Sequence, residues 1–342
     1  MIFLKNRANK TVKKIFVSGA TGFIGSHLAL FLAEQGNIVH ALFRSSQKAE
    51  ILKHENIRLF KGDVCDKSSI EAAMVSCEEA YHLGAFARLW DKDPNLCRRV
   101  NVEGTLAVLD SAVECEIKKI VITSTAGVLG PSKSKPVDEN CERTSKFFNS
   151  YELSKFEMEK KALGYKEKGL RIVFVNPTRV YGPGILSEAN SATKIIDAYI
   201  HGKWHIIPGR GDSVGNYVFI DDIVKGHILA MKNGVSGERY ILGGTNLSFL
   251  DFFTVISDVS GKRYWMIRIP FYILILISGL VFFFSRLFGQ PPRLAPQWIK
   301  RYLRHWAVSS KKAEQKLGYK ITPIEVGIGK TVQWLQKDKI NE

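Results

Sequence analysis

Apolar residues in this chain fall into short runs separated by glycines and by stretches of helical spacing. Ile15-Phe16-Val17 is a brief apolar run of β-branched character, and a glycine-rich turn follows at once. From Phe23 through Leu32 the apolar positions repeat with helical spacing and stop near Gly36, where a C-cap is expected. Ile38 to Phe43 then reads as a second strand. Strand, glycine turn, helix, strand is a βαβ unit, which implies a parallel sheet with a right-handed crossover.

The alternation continues. Strands are expected at Ile57–Phe60, Ala80–Leu83, Lys119–Thr123 and Arg171–Asn176, with helices at Ser69–Ser76, Val102–Glu114 and Tyr151–Lys166. Repeated βα alternation predicts an α/β fold, a Rossmann-type doubly wound parallel sheet covered on both faces. After Pro177 the pattern loosens, with turn signals at Gly182-Pro183-Gly184 and Pro208-Gly209-Arg210-Gly211. The expected division is a nucleotide-binding core over 12–177, with 214–245 returning to it. A smaller C-terminal substrate-binding cap is expected over 178–213 and 246–342, including an apolar segment at 269–288.

Composition narrows the setting. The 342 residues carry a net charge of +16, which favours an anionic partner. No nucleic-acid recognition motif accompanies that charge, so nucleic acid is not the expected partner. The basic start, Met1 to Lys14, holds only the run Ile2-Phe3-Leu4, too short for a signal-peptide core. Five scattered cysteines, with no C-x-x-C pair and an odd count, fit a reduced cytoplasmic setting rather than a disulfide framework. No metal site is expected.

The turn Ser18-Gly19-Ala20-Thr21-Gly22-Phe23-Ile24-Gly25 has G-x-x-G-x-x-G spacing. Glycines permit a tight turn after the strand and a close approach of backbone amides to a pyrophosphate, at the positive end of the following helix. A dinucleotide is therefore expected on Gly19, Thr21, Gly22, Phe23, Ile24 and Gly25. An acidic residue closing the second strand would hold a ribose 2′-hydroxyl. Phe43-Arg44-Ser45-Ser46-Gln47-Lys48 stands there instead. Arg44, helped by Ser45 and Lys48, suits a 2′-phosphate, so NADP is expected over NAD; the alternative is a solvated loop cation.

Tyr151 and Lys155 lie four residues apart, on one face of a helix. A phenol of pKa about 10 is a poor base at neutral pH. A neighbouring ammonium and a cationic nicotinamide would lower that value, letting the phenol exchange a proton with a carbonyl or alcohol oxygen.

With these motifs in place the chain resembles the extended short-chain dehydrogenase/reductase superfamily, of the NAD-dependent epimerase/dehydratase type. The resemblance covers about residues 13–330. It rests on Ser18–Gly25, Lys61-Gly62-Asp63-Val64, Tyr81-His82-Leu83-Gly84-Ala85, Asn101-Val102-Glu103-Gly104-Thr105, Thr123-Ser124-Thr125-Ala126, Tyr151–Lys155 and Asn176-Pro177-Thr178-Arg179-Val180-Tyr181-Gly182-Pro183-Gly184. It implies that Asp63 and Val64 flank the adenine and that Leu83, Gly84 and Ala85 line the cofactor. It further implies that Thr125 holds the substrate oxygen beside Tyr151, that Lys155 also binds the nicotinamide ribose, and that Asn176, Pro177 and Val180 pack near the nicotinamide. Asn101 has a second reading as a structural bridge between strand ends.

Two departures shape the expected substrate. Nucleotide-sugar members usually carry a diphosphate-gripping Arg before an Asp-rich turn. Here Ser213 to Asp222 contains no cation, with Arg210 just upstream. Asp221-Asp222 is read as a helix N-cap rather than a metal or acid/base pair. The second departure is the charge-free run Ile269 to Ser285. Basic residues flank it: Lys262, Arg263 and Arg268 before, Arg286, Arg293, Lys300, Arg301 and Arg304 after. As a helix it reaches roughly 25 Å, short of a hydrocarbon core of about 30 Å. It is expected to lie on or dip into an anionic bilayer, the alternatives being a buried cap helix, a homodimer contact or a full span.

The dihydroflavonol-4-reductase-like and 3β-hydroxysteroid-dehydrogenase-like branch is most similar. It implies hydride transfer between nicotinamide and a ketone or secondary alcohol of a hydrophobic lipid-, sterol- or flavonoid-like substrate; the cysteine usage and the basic-flanked apolar run add the expectation of a cytoplasmic enzyme with peripheral contact to the membrane. A nucleotide-sugar epimerase or dehydratase is the alternative, and a non-catalytic cofactor-binding regulator a lesser one.

Overall fold

The structure is a computed structural model that describes residues 12–87, 93–186, 190–288 and 296–338. The basic residues before 12, and Arg293, lie outside the described residues.

Six strands follow the expected alternation: β1 (Lys14–Ser18), β2 (Ile38–Phe43), β3 (Ile57–Lys61), β4 (Glu79–His82), β5 (Lys119–Thr123) and β6 (Arg171–Pro177). A late strand, Arg239–Leu242, joins them beside β6. The seven strands are all parallel, in the order Arg239–Leu242, β6, β5, β4, β1, β2, β3. The chain reverses direction across the sheet between β1 and β4, and the C-terminal ends of those strands bound the crevice where such sheets bind ligands.

Side-chain alternation explains the two layers. Ile15, Val17, Val39, Ala41, Val121, Val173 and Val175 face helices Phe23–Glu34 and Ile220–Asn233. Their neighbours Phe16, Leu42, Ile120, Ile122, Ile172 and Phe174 face Lys67–Met74, Gly104–Glu114 and Ser150–Ala162. Both faces are thus apolar, as a buried parallel sheet requires.

Beyond β6 lie two small sheets. Val214–Phe219 pairs with Arg179–Tyr181 in parallel and with Thr245–Ser248 antiparallel. Ile206–Pro208 pairs with Ile267–Ile269. The apolar run forms a helix, Phe271–Leu287. No helix among the described residues is long and apolar enough to cross a membrane.

The Asp221-Asp222 pair corrects one expectation. Helix Ile220–Asn233 begins three residues before the expected start at Ile223, with Phe219 at its N-cap and no side-chain cap, so both aspartates lie inside its first turn. Asp222 instead accepts hydrogen bonds from Thr322 N and Oγ1, both at 2.7 Å. It anchors the C-terminal segment to the core.

Two buried histidines belong to this core, His82 at the end of β4 and His227 on the helix that packs against the sheet. His227 Nε2 meets Thr123 Oγ1 at 2.8 Å and its Nδ1 meets the Ile223 carbonyl at 2.7 Å. Burial pushes its pKa down to about 4, and that of His82 to about 3. The folded chain therefore keeps both rings neutral while the unfolded chain protonates them below about 6.5. The unfolded state binds more protons in that window, so stability falls as pH drops from about 6.5 toward 4. Each ring contributes up to about 1.4 kcal/mol per pH unit. Urea unfolding at pH 7 and pH 5 should show this, and a His227→Gln variant should have a shallower pH dependence.

Candidate functional site

The loop after β1 is compact because glycine occupies its crossing points. Gly19 adopts φ +68°, and a Cβ there would lie 2.6 Å from the backbone of Leu83 and Gly84. A Cβ on Gly25 would strike the Gly19 carbonyl. The loop after β1 and the end of β4 therefore touch backbone to backbone. Gly22 caps helix Phe23–Glu34 with no side-chain hydrogen bond, and the first turn holds no acidic residue. First-turn amides without a side-chain cap at the positive end of a helix form the cradle a pyrophosphate requires. The residues present therefore fit a dinucleotide.

A directed hydrogen-bond chain fixes this cradle. Gly84 N donates to Ser18 Oγ at 3.3 Å, and Ser18 Oγ lies 2.6 Å from His82 Nδ1. His82 Nε2 lies 2.9 Å from Thr105 Oγ1, which donates to the Asn101 carbonyl at 2.8 Å. Because the Thr105 proton is committed to that carbonyl, Nε2 of His82 carries the ring proton and Nδ1 accepts from Ser18. The Asn101 side chain accepts from Phe86 N at 2.7 Å and donates to Phe86 O at 3.1 Å and Ser154 Oγ at 2.9 Å. It thus joins the segment after β4 to the helix carrying Lys155. Asn101 sits in a π-turn, Arg99–Glu103, that opens the following helix.

Helix Ser150–Ala162 starts at Asn149, whose side chain accepts from Glu152 N at 2.8 Å. Lys155 is buried and donates to the Thr123 carbonyl, at the end of β5, at 2.8 Å. Burial pulls its pKa down to about 8, against the opposing charge of Glu159. Tyr151 is pushed the other way, up to about 12, by burial. This is the reverse of the lowering expected from a neighbouring ammonium; in the chain by itself, desolvation dominates the phenol. Among the described residues its hydroxyl has no hydrogen-bond partner. Thr125 accepts from Gly127 N at 3.1 Å, which leaves its own proton free to donate.

Asn176 donates to the Thr125 carbonyl at 3.1 Å and to Glu159 Oε1 at 2.8 Å, while its own Oδ1 is buried without a partner. Pro177 and Val180 are buried beside it. Val64 is buried against the backbones of Gly84 and Gly104. Asp63 lies 3.4 Å from the exposed Arg44 guanidinium. Leu83 and Ala85 are half-buried at the end of β4, and Thr21, Phe23 and Ile24 belong to the cradle. Lys48 lies on a short exposed helix, Ser46–Ala49, beyond β2.

One constellation was invisible in the sequence. Glu152, adjacent to Tyr151, is buried between two arginines: Arg143 at 2.9 Å and Arg301 at 2.9 Å. Arg143 also donates to Gly127 O, and to the carbonyls of Ser145 and Lys146 at 2.9 Å each. Nothing in local spacing announces this triad, because Arg301 lies 149 residues beyond Glu152.

The chain is similar in sequence and fold to known proteins. Residues 15–243 match the NAD dependent epimerase/dehydratase family, and the chain belongs to that family. It is 28% identical over 327 residues to a putative dihydroflavonol 4-reductase of Synechocystis, covering 94% of each chain. It is 26% identical over 349 residues to the sterol-4-alpha-carboxylate 3-dehydrogenase, decarboxylating, of Mus musculus, covering 96% of this chain and 93% of that one. Its fold superposes on a UDP-glucose 4-epimerase of Thermotoga maritima with a TM-score of 0.79 at 24% identity, over 95% of this chain and 99% of that one.

Proposed function

We propose that the chain is an NADP-dependent oxidoreductase that reduces a ketone, or oxidises a secondary alcohol, on a hydrophobic substrate. One observation supports the reading: buried Lys155, one helical turn beyond Tyr151, donates to the Thr123 carbonyl at the C-terminal end of β5, two residues before Thr125, in the sheet whose switch point lies between β1 and β4. Its relatives named for dihydroflavonol and sterol chemistry supply the substrate class.

Gly19, Thr21, Gly22, Phe23, Ile24 and Gly25 would hold the pyrophosphate, Asp63 and Val64 the adenine, and Leu83, Gly84 and Ala85 the adjoining face. Lys155 would bind the nicotinamide ribose, with Asn176, Pro177 and Val180 beside the nicotinamide. When bound, the nicotinamide supplies or accepts the hydride. Thr125 donates its free proton to orient the substrate oxygen. Tyr151, protonated at neutral pH by burial, gives its proton to that oxygen in the reductive direction. The core spans 12–177 and 214–245, and the cap spans 178–213 and 246–342.

Arg44 and Lys48 select the 2′-phosphate. A charge-assisted contact contributes about 1.5–3 kcal/mol, so Arg44→Asp should lower the NADPH-over-NADH preference in kcat/KM by about 10–100-fold. Stopped-flow or steady-state absorbance with both coenzymes and a ketone panel measures this. Turnover of nucleotide sugars with no net change in nicotinamide absorbance would instead identify the epimerase alternative.

The helix Phe271–Leu287 contacts an anionic membrane from the cytoplasmic side. Tyr272, Leu276, Phe283 and Leu287 are 73%, 64%, 62% and 65% exposed along it. Lys262, Arg263, Arg268, Lys300 and Arg304 are exposed around it. Apolar burial plus attraction to anionic headgroups drives such binding. The chain should cosediment with phosphatidylglycerol-containing vesicles, more weakly at high salt. Leu276→Asp with Phe283→Asp should abolish cosedimentation while NADPH binding persists.

A further inference from the structure

The stretch Ser213–Asp222 brings no cation of its own, and Arg210 does not supply one. Arg210 is 88% exposed and pairs with Asp212 through Nε at 2.9 Å and Nη2 at 2.7 Å. The cation arrives from the neighbouring strand. Arg179 pairs in register with Tyr217, and its guanidinium enters the notch left by Gly215. A Cβ on Gly215 would lie 2.8 Å from Arg179 Cζ and closer still to Nη1. Glycine at 215 is what makes room for the charge.

The surroundings of this guanidinium are incomplete. The rings of Tyr217, Phe249 and Tyr302 lie 5.4, 5.7 and 5.5 Å from Cζ. Nη1 donates to Tyr217 Oη at 3.1 Å. Among the described residues no carboxylate pairs with Arg179, and no other acceptor meets its remaining N–H groups. Ring faces stabilise a cation but accept few of the five hydrogen bonds a guanidinium can donate. A half-buried, unpaired charge is costly, and the low-polarity walls strengthen any anion contact made there.

Two connections along the chain tie this guanidinium to the segment that carries Tyr151 and Thr125. Three residues before Arg179, Asn176 holds the carbonyl of Thr125. Tyr302, which walls the guanidinium, follows Arg301, and Arg301 holds Glu152 next to Tyr151.

We propose that Arg179 is an oxyanion-binding residue of the substrate pocket, so that the substrate is an amphiphile with an apolar body and a carboxylate or phosphate. This rests on the oxidoreductase reading for calling the cleft a substrate site. The planar fork of Arg179 suits two-point binding of either group.

The test is isothermal titration of the full chain, with and without NADPH, using four probes: decanol, decanoate, decyl phosphate and UDP. Decanoate or decyl phosphate should bind at least tenfold more tightly than decanol, and the better of the two identifies the group. Arg179→Met should erase that preference, and Arg179→Lys should keep part of it. Gly215→Ala, which retains the charge but pushes the flexible guanidinium tip out of its notch, should weaken the preference without unfolding the chain. Equal binding of decanol and the two anions, or a preference that survives in Arg179→Met, overturns the proposal. UDP outbinding both tailed anions overturns the amphiphile assignment. NADPH binding, read separately by nicotinamide fluorescence, tests the oxidoreductase reading; coenzyme binding without anion preference fails this proposal alone.

Discussion

Replacing Tyr151 by Phe is expected to lower kcat for ketone reduction by about 10²–10⁴-fold, the usual contribution of a positioned proton donor. NADPH affinity should stay within a few-fold, because the hydroxyl has no hydrogen-bond partner among the described residues. The pH profile separates the two members of the pair. Tyr151, at about 12, remains protonated across the accessible range, whereas Lys155, at about 8, loses its charge as pH rises through that value. Reduction should therefore run on a plateau near neutrality and decline above about pH 8. The decline would belong to Lys155 rather than to the phenol. If Tyr151→Phe retains full turnover, the proton comes from elsewhere and the assignment fails.

Removing the carboxylate of Glu152 should be nearly as damaging by a different route. Arg143 is 6% exposed at its side chain and Arg301 28%, and Glu152 at 2% is the shared counter-charge. Breaking a buried ion pair by deleting one partner strands the other, at a typical cost of 3–5 kcal/mol. Glu152→Ala should therefore destabilise the chain by about 3 kcal/mol or more in urea unfolding. It should also depress kcat, because both the turn before Tyr151 and the C-terminal segment are held through this carboxylate. A loss below about 1 kcal/mol would mean that water reaches and stabilises the two guanidinium groups.

Much of the fold was legible because parallel-sheet units repeat a local grammar. Apolar runs such as Ile15–Val17 and Ile120–Ile122 must be buried on both faces, and the glycines after β1 mark a turn where backbone meets backbone. The Tyr151–Lys155 pair was legible because four-residue spacing is a property of any helix. What failed to show were contacts that no local spacing encodes. Asp221-Asp222 looked like a cap, yet Asp222 is committed to Thr322, 100 residues away. Lys155 and a cationic nicotinamide together were expected to lower the pKa of Tyr151; in the chain by itself the ammonium is turned to the Thr123 carbonyl, and burial decides the phenol. The Arg143–Glu152–Arg301 triad and the Arg179 notch are likewise assembled from distant strands and loops. Arg179 stood in plain view within a recognised motif; its role depends on a missing side chain at Gly215, and absence of bulk leaves little trace in a hydrophobic pattern.

The π-turn at Arg99–Glu103 has a consequence for how this chain can change. Such a turn contains one residue more than a regular helical turn, and each residue advances the helix by about 100°. Trimming one position there would yield a tidier helix with better backbone geometry. It would also swing Thr105 away from His82 or Asn101 away from Phe86 and Ser154, since the two are phased by the surplus residue. The irregularity works as a spacer that keeps one polar anchor on His82 at the end of β4 and the other on Phe86 and the Lys155 helix, and its deletion would uncouple the nucleotide loop from that helix while leaving helical content intact.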